Sequence, residues 1–259
     1  MGILNLTPDS FSDGASYSDD TEAIAAGLAM AGSGADIVDV GGESTRPGAT
    51  PVSPAEEQAR ILPVIRALAR AGVLVSVDTR HAATMEAALD AGAAIVNDVS
   101  ALGFDPAAAP LLVRRECAVI LMHMRGDPAT MASLATYEDV TAEVTRELAA
   151  RVAAAERVGI ARARLAVDPG FGFAKRAAHS LALLRGLASL TVLGLPIVAG
   201  VSRKSFIGRV TGVTDPRGRD GASIIAGLFA LSEGAAILRV HNVLETCRAL
   251  RMREALMNP

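Results

Sequence analysis

The 259-residue sequence contains no tryptophan, and aromatic residues make up only 3% of it, although hydrophobic residues make up 51%. Its core must therefore be built mainly from alanine, valine, leucine and isoleucine, a composition typical of a buried parallel sheet covered by helices. The high hydrophobic fraction also excludes an intrinsically disordered chain.

Other scarcities narrow the class of protein. The only cysteines, Cys117 and Cys247, form no CxxC motif, so we expect a reducing compartment and a cytoplasmic location. No apolar run reaches ~20 residues, and the chain opens without a charged region followed by a long apolar segment, so we expect neither a membrane span nor a signal peptide. With a net charge of -3 there is no basic excess, and we expect no nucleic-acid partner.

Short apolar runs alternate with helical patterns along the whole chain. The runs lie near residues 2–6, 36–42, 73–79, 94–99, 118–124, 165–169, 196–202 and 237–241. The helical patterns lie near residues 20–33, 54–71, 81–91, 105–116, 138–159, 177–189, 219–234 and 243–257. Such alternation favours parallel strands joined by right-handed crossovers.

Eight strand–helix units predict an α/β fold, a (β/α)8 TIM barrel, as a single domain over residues 1–259 that starts inside its first strand. The alternative is a doubly wound open sheet, but residues 5–9 do not form the glycine-rich dinucleotide loop expected after its first strand. Two long loops, residues 7–19 and 43–53, follow the first two runs. Loops at this rim of a barrel commonly build the active site and close over substrate.

Polar side chains occur where the apolar runs end. They are Asn5, Asp39, Asp78, Asn97, Asp98, His123, Asp168, Ser202, Lys204, Arg239 and His241. Helix capping is the simple alternative, and it could explain Asp98 or Asp168 alone. It does not explain Asp39, because the strand continues beyond it. Nor does it explain Arg239 and His241, which point to one face of a strand. We therefore favour a common binding site.

The residue types indicate the kind of ligand. Three carboxylates and an amide suit a ligand with several N–H donors, while Lys204 and Arg239 suit acceptors or a phosphate. A fused nitrogen heterocycle carrying a phosphate meets both requirements. The four histidines show no zinc spacing, and we interpret His123 as structural. A hard ion held by oxygen ligands such as Asn5 and phosphate stays open.

Two long blocks resemble the dihydropteroate synthase family of pterin-binding enzymes. They are residues 1–14, MGILNLTPDSFSDG, and residues 39–48, DVGGESTRPG. Shorter matching blocks follow in the family's order at residues 76–79, 97–98, 121–124, 168–173, 202–204 and 239–241, so the resemblance covers the chain. It implies the same (β/α)8 fold as the strand count.

The resemblance also implies a reaction. Enzymes of this family condense 6-hydroxymethyl-7,8-dihydropterin pyrophosphate with 4-aminobenzoate in folate biosynthesis, giving 7,8-dihydropteroate and pyrophosphate. Pyrophosphate leaves first, and the arylamine then attacks the pterin cation. Mg2+ assists, sulfonamides compete with 4-aminobenzoate, and the enzyme is a homodimer.

Roles for individual residues follow from the matching positions. The resemblance places the pterin edge on Asp78, Asn97, Asp168 and Lys204. It places the diphosphate near Arg239, His241 and Asn5, with Arg239 stacked on the pterin and Asn5 near Mg2+. The expected catalytic residues are Asp78, Lys204 and Arg239. The 4-aminobenzoate pocket is expected at Thr45, Arg46, Pro47 and Ser202, with Phe173 beside it. The loop residues Phe11 and Asp13 are expected to close over the leaving group and the aminobenzoate. Asp39 lies in a matching block without a firm role.

Two positions depart from the family pattern: Ala174 stands where glycine is common, and Asn242 where aspartate is common. Two other functions stay open on the sequence. One is a methyltransferase that passes a methyl group from a folate to a corrinoid, which has no need of residues 45–47 or of Arg239 and His241 facing a diphosphate. The other is a pterin-binding protein without turnover.

Overall fold

The chain forms a ring of parallel strands in a computed structural model that describes residues 1–7, 19–45 and 49–257. The strands are β1 (Gly2–Asn5), β2 (Val38–Gly41), β3 (Val75–Asp78), β4 (Ile95–Asp98), β5 (Ala118–Met122), β6 (Leu165–Asp168), β7 (Val198–Ala199) and β8 (Ile237–Leu238). The helices of these ranges are α1 (Asp20–Gly32), α2 (Pro54–Arg70), α3 (Ala82–Asp90), α4 (Ala108–Val113), α5 (Val140–Arg157), α6 (Ala177–Arg185), α7 (Ser205–Thr211), α8 (Asp220–Ser232) and α9 (Val243–Met257).

The strands close into a barrel. Strands β1 to β6 form one parallel sheet in sequence order, and β7 pairs with β8. A bridge between Val167 and Ile197 joins β6 to the β7 segment, and a bridge between Gly2 and Val240 joins the β8 segment to β1. The predicted (β/α)8 barrel is therefore confirmed, and each strand lies within a predicted apolar run.

The apolar core lies in two places, because successive side chains of a strand point to opposite faces. Most of it, including Leu4, Val40 and Val77, packs between the strands and the helices. A smaller cluster contains Ile95 and Ile120. Ile95 points to the same face as Asn97, two residues further along β4. The interior of the barrel thus has an apolar floor beneath a polar mouth.

Local signals set the helix boundaries. The N-cap of α2 is Ser53, whose Oγ accepts a hydrogen bond from the Glu56 amide at 3.2 Å, with Pro54 at the first helical position. The N-cap of α5 is Asp139, which accepts from two amides of the first turn. No helix in the described ranges combines the length and the apolar character needed to cross a bilayer.

Three elements differ from the predicted helices. The short helix α7 was not predicted as a separate element; it ends before Gly212, whose φ of +75° favours glycine. Helix α4 is shorter than residues 105–116, since Asp105 instead caps the amides of Ala82 and Ala107. Helix α6 ends at Arg185, and after its C-cap Gly186 the chain passes into a 3-10 helix, Leu187–Leu193.

Candidate active site

A cavity of about 510 Å³ opens at the carboxyl ends of the strands. Most of the predicted site residues line it, namely Asn5, Thr45, Asp78, Asn97, Asp168, Phe173, Ser202, Lys204, Arg239 and His241. The remaining four, Phe11, Asp13, Arg46 and Pro47, lie outside the described residues. Side chains from seven separate stretches of chain thus meet in one mouth.

The strand register brings several of these groups to one level. Asn5 is paired with Gly41, Gly41 with Asp78, and Asp78 with Asn97. A Cβ on Gly41 would lie 3.3 Å from Cβ of Asp78 and 3.6 Å from Oδ1 of Asn5. Glycine at this position therefore leaves room for the polar side chains on either side of it.

Arg239 holds two carboxylates together beneath the mouth. Its Nε donates to Oδ2 of Asp39 at 2.6 Å, and a terminal nitrogen donates to Oδ2 of Asp78 at 2.7 Å. The Asn97 amide also donates to Oδ2 of Asp39, at 3.0 Å. Asp39 is fully buried and does not line the cavity. It supports Asn97 and Arg239 from below.

Burial changes the acidity of these groups. It raises the pKa of Asp78 to about 7, with the charge of Arg239 opposing the shift and that of Asp39 adding to it. Burial also raises the pKa of Asp168, against a hydrogen bond from the Gly170 amide. For Arg239 burial lowers the pKa, but the neighbouring carboxylates outweigh it and hold the pKa above its usual value. Arg239 is thus permanently charged, and the site has an acidic wall.

Lys204, which also lines the cavity, lies over an aromatic ring. Its Nζ is 4.3 Å from the centroid of the Phe173 ring, a cation–π geometry. The backbone of Ala174, next to Phe173, has a φ of +48°. The alanine that replaces a common glycine therefore adopts the left-handed conformation that glycine favours, and Phe173 keeps its place in the cavity.

Ser202 and His241 are locked together at the rim. The His241 amide donates to Oγ of Ser202 at 3.2 Å, and the ring atom Nδ1 lies 2.9 Å from the same oxygen. Burial, and then the charges of Arg203 and Arg239, lower the pKa of His241 to about 3, so its ring is neutral. In the tautomer that carries its proton on Nε2, Nδ1 accepts from the Ser202 hydroxyl and Nε2 is a donor.

Asn5 is a candidate protein ligand for a magnesium ion in the described part of the cavity. No group of three His, Cys, Asp or Glu side chains suited to holding a metal occurs among the described residues. Asn5 offers an amide oxygen at the end of β1, and oxygen is the ligand atom that Mg2+ prefers. This donor set fits a hard ion that takes most of its ligands from a bound phosphate and from water.

Besides Asp39, two strand-end residues do not line the cavity. Asp98 accepts hydrogen bonds from the amides of Ser100 at 2.7 Å and Leu102 at 3.0 Å, so its role is to cap the turn after β4. His123 is buried between Glu147 and Lys175. The structural interpretation of His123 agrees with this arrangement.

Sequence reasoning missed several groups around the mouth. Glu43 lines the cavity and forms a buried two-bonded ion pair with Arg80, at 2.8 and 3.0 Å, while Arg80 stacks on Phe104. Glu57 of α2 is fully buried and accepts from the Thr79 hydroxyl at 2.9 Å. The sequence gives little indication of these groups, because the burial of Glu43 and of Glu57 depends on a partner from another strand–helix unit.

Comparisons with known proteins agree with this geometry. The family model described as "Pterin binding enzyme" matches residues 1–241. The dihydropteroate synthase of Neisseria meningitidis serogroup C is 48% identical over 260 residues, which cover 99% of this chain and 92% of that protein.

Two solved structures are similarly close. The Xanthomonas albilineans dihydropteroate synthase with 4-aminobenzoic acid has 46% identity and a TM-score of 0.93, covering 100% of this chain and 93% of that one. The Yersinia pestis enzyme with a sulfonamide drug has 40% identity and a TM-score of 0.93, covering 100% and 94%.

Proposed function

Because this chain belongs to the pterin-binding enzyme family, and within it to the dihydropteroate synthases, we propose that it condenses 6-hydroxymethyl-7,8-dihydropterin pyrophosphate with 4-aminobenzoate. The products are 7,8-dihydropteroate and pyrophosphate. The observation that supports this most is the convergence of Asp78, Asn97, Asp168, Lys204 and Arg239 on one cavity.

The acidic wall suits the pterin ring. Asp78 and Asp168 offer carboxylate oxygens that accept N–H bonds from the aminopyrimidinone edge, and Lys204 offers a donor to its acceptors. Asn97 donates its amide N–H to Asp39, so its oxygen is the group available to accept from the ligand. A flat heterocycle with several donors is thus bound by acceptors on more than one strand.

The same charges favour the reaction. As the bond to pyrophosphate breaks, positive charge develops on the pterin, and the carboxylates of Asp78 and Asp168 stabilise it most in the transition state. Arg239 and the neutral His241 face the departing diphosphate with N–H donors. Asn5 would be a protein ligand of Mg2+, which would supply positive charge beside the leaving group. The arylamine then attacks the cation.

The second substrate occupies the outer part of the cavity. Thr45, Ser202 and Phe173 border this part, and Phe11, Asp13, Arg46 and Pro47 complete it in the proposal. Sulfonamides resemble 4-aminobenzoate in shape and in their arylamine, so they compete for the same place.

The proposal extends to assembly and location. The enzyme is a homodimer, and exposed apolar side chains on α8 and α9, among them Ile225, Phe229 and Met252, supply surface for such an interface. Both cysteines are free thiols, which fits the reducing cytoplasm. Sedimentation of the purified protein as a monomer at micromolar concentration would contradict the dimer.

The decisive test is product formation by the purified protein. Pyrophosphate release should require both substrates and Mg2+, and radiolabelled 4-aminobenzoate should appear in dihydropteroate in equal amount. Release without incorporation would contradict the proposal. Demethylation of methyltetrahydrofolate with a corrinoid acceptor would favour the methyltransferase alternative, for which the described residues offer no specific support.

A further inference from the structure

Lysine occurs at only two positions in this chain. Of the 25 lysines and arginines, two are lysines, Lys175 and Lys204. Lys204 lines the cavity, whereas Lys175 does not and is only 7% exposed. Lysine carries a compact ammonium with three donors, whereas the donors of arginine are spread over a planar fork. In a chain that otherwise uses arginine, a buried lysine behind the site points to a need for the compact group.

The contacts of Lys175 show that need. Its Nζ donates to the carbonyl oxygens of Gly170 and Phe173, each at 3.0 Å, and lies 2.8 Å from Nδ1 of His123. The two carbonyls belong to the loop after β6, and His123 follows β5. One ammonium group therefore uses three protons to fold the loop around itself and to attach it to the neighbouring strand. An arginine would place a carbon atom where these bonds converge.

The neighbours of Lys175 have protonation states that fit these bonds. Burial, and then the charge of Lys175, lower the pKa of His123 to about 4, so its ring is neutral. With Nδ1 accepting from Lys175, the ring proton lies on Nε2 and is donated to Glu147 at 2.9 Å. Glu147 is held in turn by Arg125. None of these four side chains lines the cavity, and the bonds from Lys175 to the two loop carbonyls connect the network to the site.

Phe173 is the residue through which the loop meets the cavity. Its carbonyl is bound by Lys175, and its ring lies beneath Nζ of Lys204. The next residue, Ala174, is held in the left-handed region at a φ of +48°, which costs an alanine about 1 kcal/mol. A conformation that disfavours its own residue requires an anchor, and Lys175 supplies one.

We propose that Lys175 is a positioning residue that fixes Phe173 at the side of the cavity receiving 4-aminobenzoate, and so sets the affinity for that substrate. This rests on the proposed function. Burial lowers the pKa of Lys175 to about 7, and the charge of Asp168 opposes this shift. Kinetic assays below pH 7 therefore observe the ammonium form.

The kinetic test compares two changes at one position with a control beside it. Lys175→Met keeps the length of the side chain but removes all three donors, and Lys175→Arg keeps the charge without the convergent geometry. The control is Arg176→Met, which removes an exposed cation one residue away. We expect both changes at Lys175 to raise KM for 4-aminobenzoate at least tenfold and to change the Kd of the pterin substrate less than threefold. Arg176→Met should leave both constants within twofold.

Several outcomes would overturn the proposal. They are a KM for 4-aminobenzoate in Lys175→Met that matches the wild type, full rescue by arginine, and equal losses for both substrates that follow a fall in melting temperature. If Lys175→Met does not fold, His123→Ala provides the same test, because it removes one acceptor and keeps the two carbonyls. A rise in KM for 4-aminobenzoate is then expected again, and an unchanged value contradicts the proposal.

A second measurement separates this proposal from the proposed function. Hydrogen exchange of the peptide covering residues 169–176 should be faster in Lys175→Met and Lys175→Arg than in the wild type, but not in Arg176→Met. Unchanged exchange overturns the anchor even if the enzyme makes dihydropteroate. If exchange is faster in the Lys175 variants but the wild type makes no dihydropteroate, Lys175 still anchors the loop and the proposed function is refuted. The claim that Lys175 sets the affinity for 4-aminobenzoate is then refuted as well.

Discussion

Asp39 and Arg239 lie 200 residues apart in the chain and are joined by a hydrogen bond of 2.6 Å between Oδ2 and Nε. The same oxygen accepts the amide of Asn97 at 3.0 Å. One buried carboxylate therefore sets the direction of a cation and of an amide that both line the cavity. A carboxylate can only accept, so it determines which end of the Asn97 amide faces the ligand.

We expect Asp39 and Asn97 to be strongly coupled. Asn97→Asp alone brings two carboxylates together and should weaken pterin binding more than Asp39→Asn alone. The double variant exchanges donor and acceptor, and it should recover part of the loss with a coupling free energy of about 1–3 kcal/mol. Calorimetric titration with the pterin substrate measures the cycle. Strictly additive losses would show that Asp39 does not orient the amide.

Replacing Lys204 should damage the first half of the reaction. We expect Lys204→Ala to lower kcat/KM for the pterin substrate by a factor equivalent to roughly 2–4 kcal/mol, because it removes a charged donor to the pterin. Arg209→Ala, which removes an exposed cation from α7, serves as the control. It should change kcat/KM by a factor equivalent to less than about 0.5 kcal/mol. Wild-type kinetics in Lys204→Ala would remove this residue from the site.

Two glycines of the loop after β6 should differ sharply in their tolerance of alanine. Both have positive φ, +66° at Gly170 and +82° at Gly172. A Cβ on Gly170 would lie 2.0 Å from the carbonyl oxygen of His123, whereas the nearest atom to one on Gly172 is Cδ of Lys204 at 3.6 Å.

Thermal unfolding measures the difference between the two variants. Gly172→Ala should cost about 1–2 kcal/mol, the strain of a left-handed alanine. Gly170→Ala should cost at least about 2 kcal/mol more, because the backbone of the adjoining segment must move. Equal melting temperatures for the two variants would contradict the close approach of this loop to His123.

The buried Glu57 should make stability depend on pH. Burial raises its pKa to about 7 from the usual 4.5, so the folded protein keeps a proton that the unfolded chain releases. The contribution of Glu57 to the free energy of unfolding therefore becomes less favourable as the pH rises from 4.5 to 7, and it is constant above that range.

Glutamine at this position does not titrate. The free energy of unfolding of Glu57→Gln relative to the wild type should therefore rise by about 3 kcal/mol between pH 5 and pH 8. Glu56→Gln, which changes an exposed carboxylate of the same helix, should show a difference below about 0.5 kcal/mol over that range. A pH-independent difference for Glu57→Gln would show that this carboxyl does not exchange its proton on unfolding.

The sequence predicted the barrel and the residues around its mouth because both signals are local. A polar residue that ends an apolar run, as Asp78 and Asp168 do, is already placed at one rim once the strands are known to be parallel. Asp98 does not cap a helix, but its partners are also local, since it accepts from amides two and four residues away in the turn after β4.

The buried partners could not be predicted in the same way. Lys175 follows a matching block and precedes a helical pattern, so it resembles an ordinary exposed residue at a helix start. Its burial depends on His123, 52 residues away, and the ion pair of Arg80 depends on Glu43, 37 residues away. Such pairings follow from the closed barrel and leave no periodicity in the sequence.

The seam between the first and last strands has a consequence for synthesis on the ribosome. The Ile3 amide donates to the Val240 carbonyl, and the Val240 amide to that of Met1, each at 2.9 Å. A nascent chain that lacks its last strand therefore has an open edge on its first strand and two buried carboxylates without their arginine. Binding of substrate must therefore await the last strand, which closes the barrel and supplies Arg239 and His241 to the cavity.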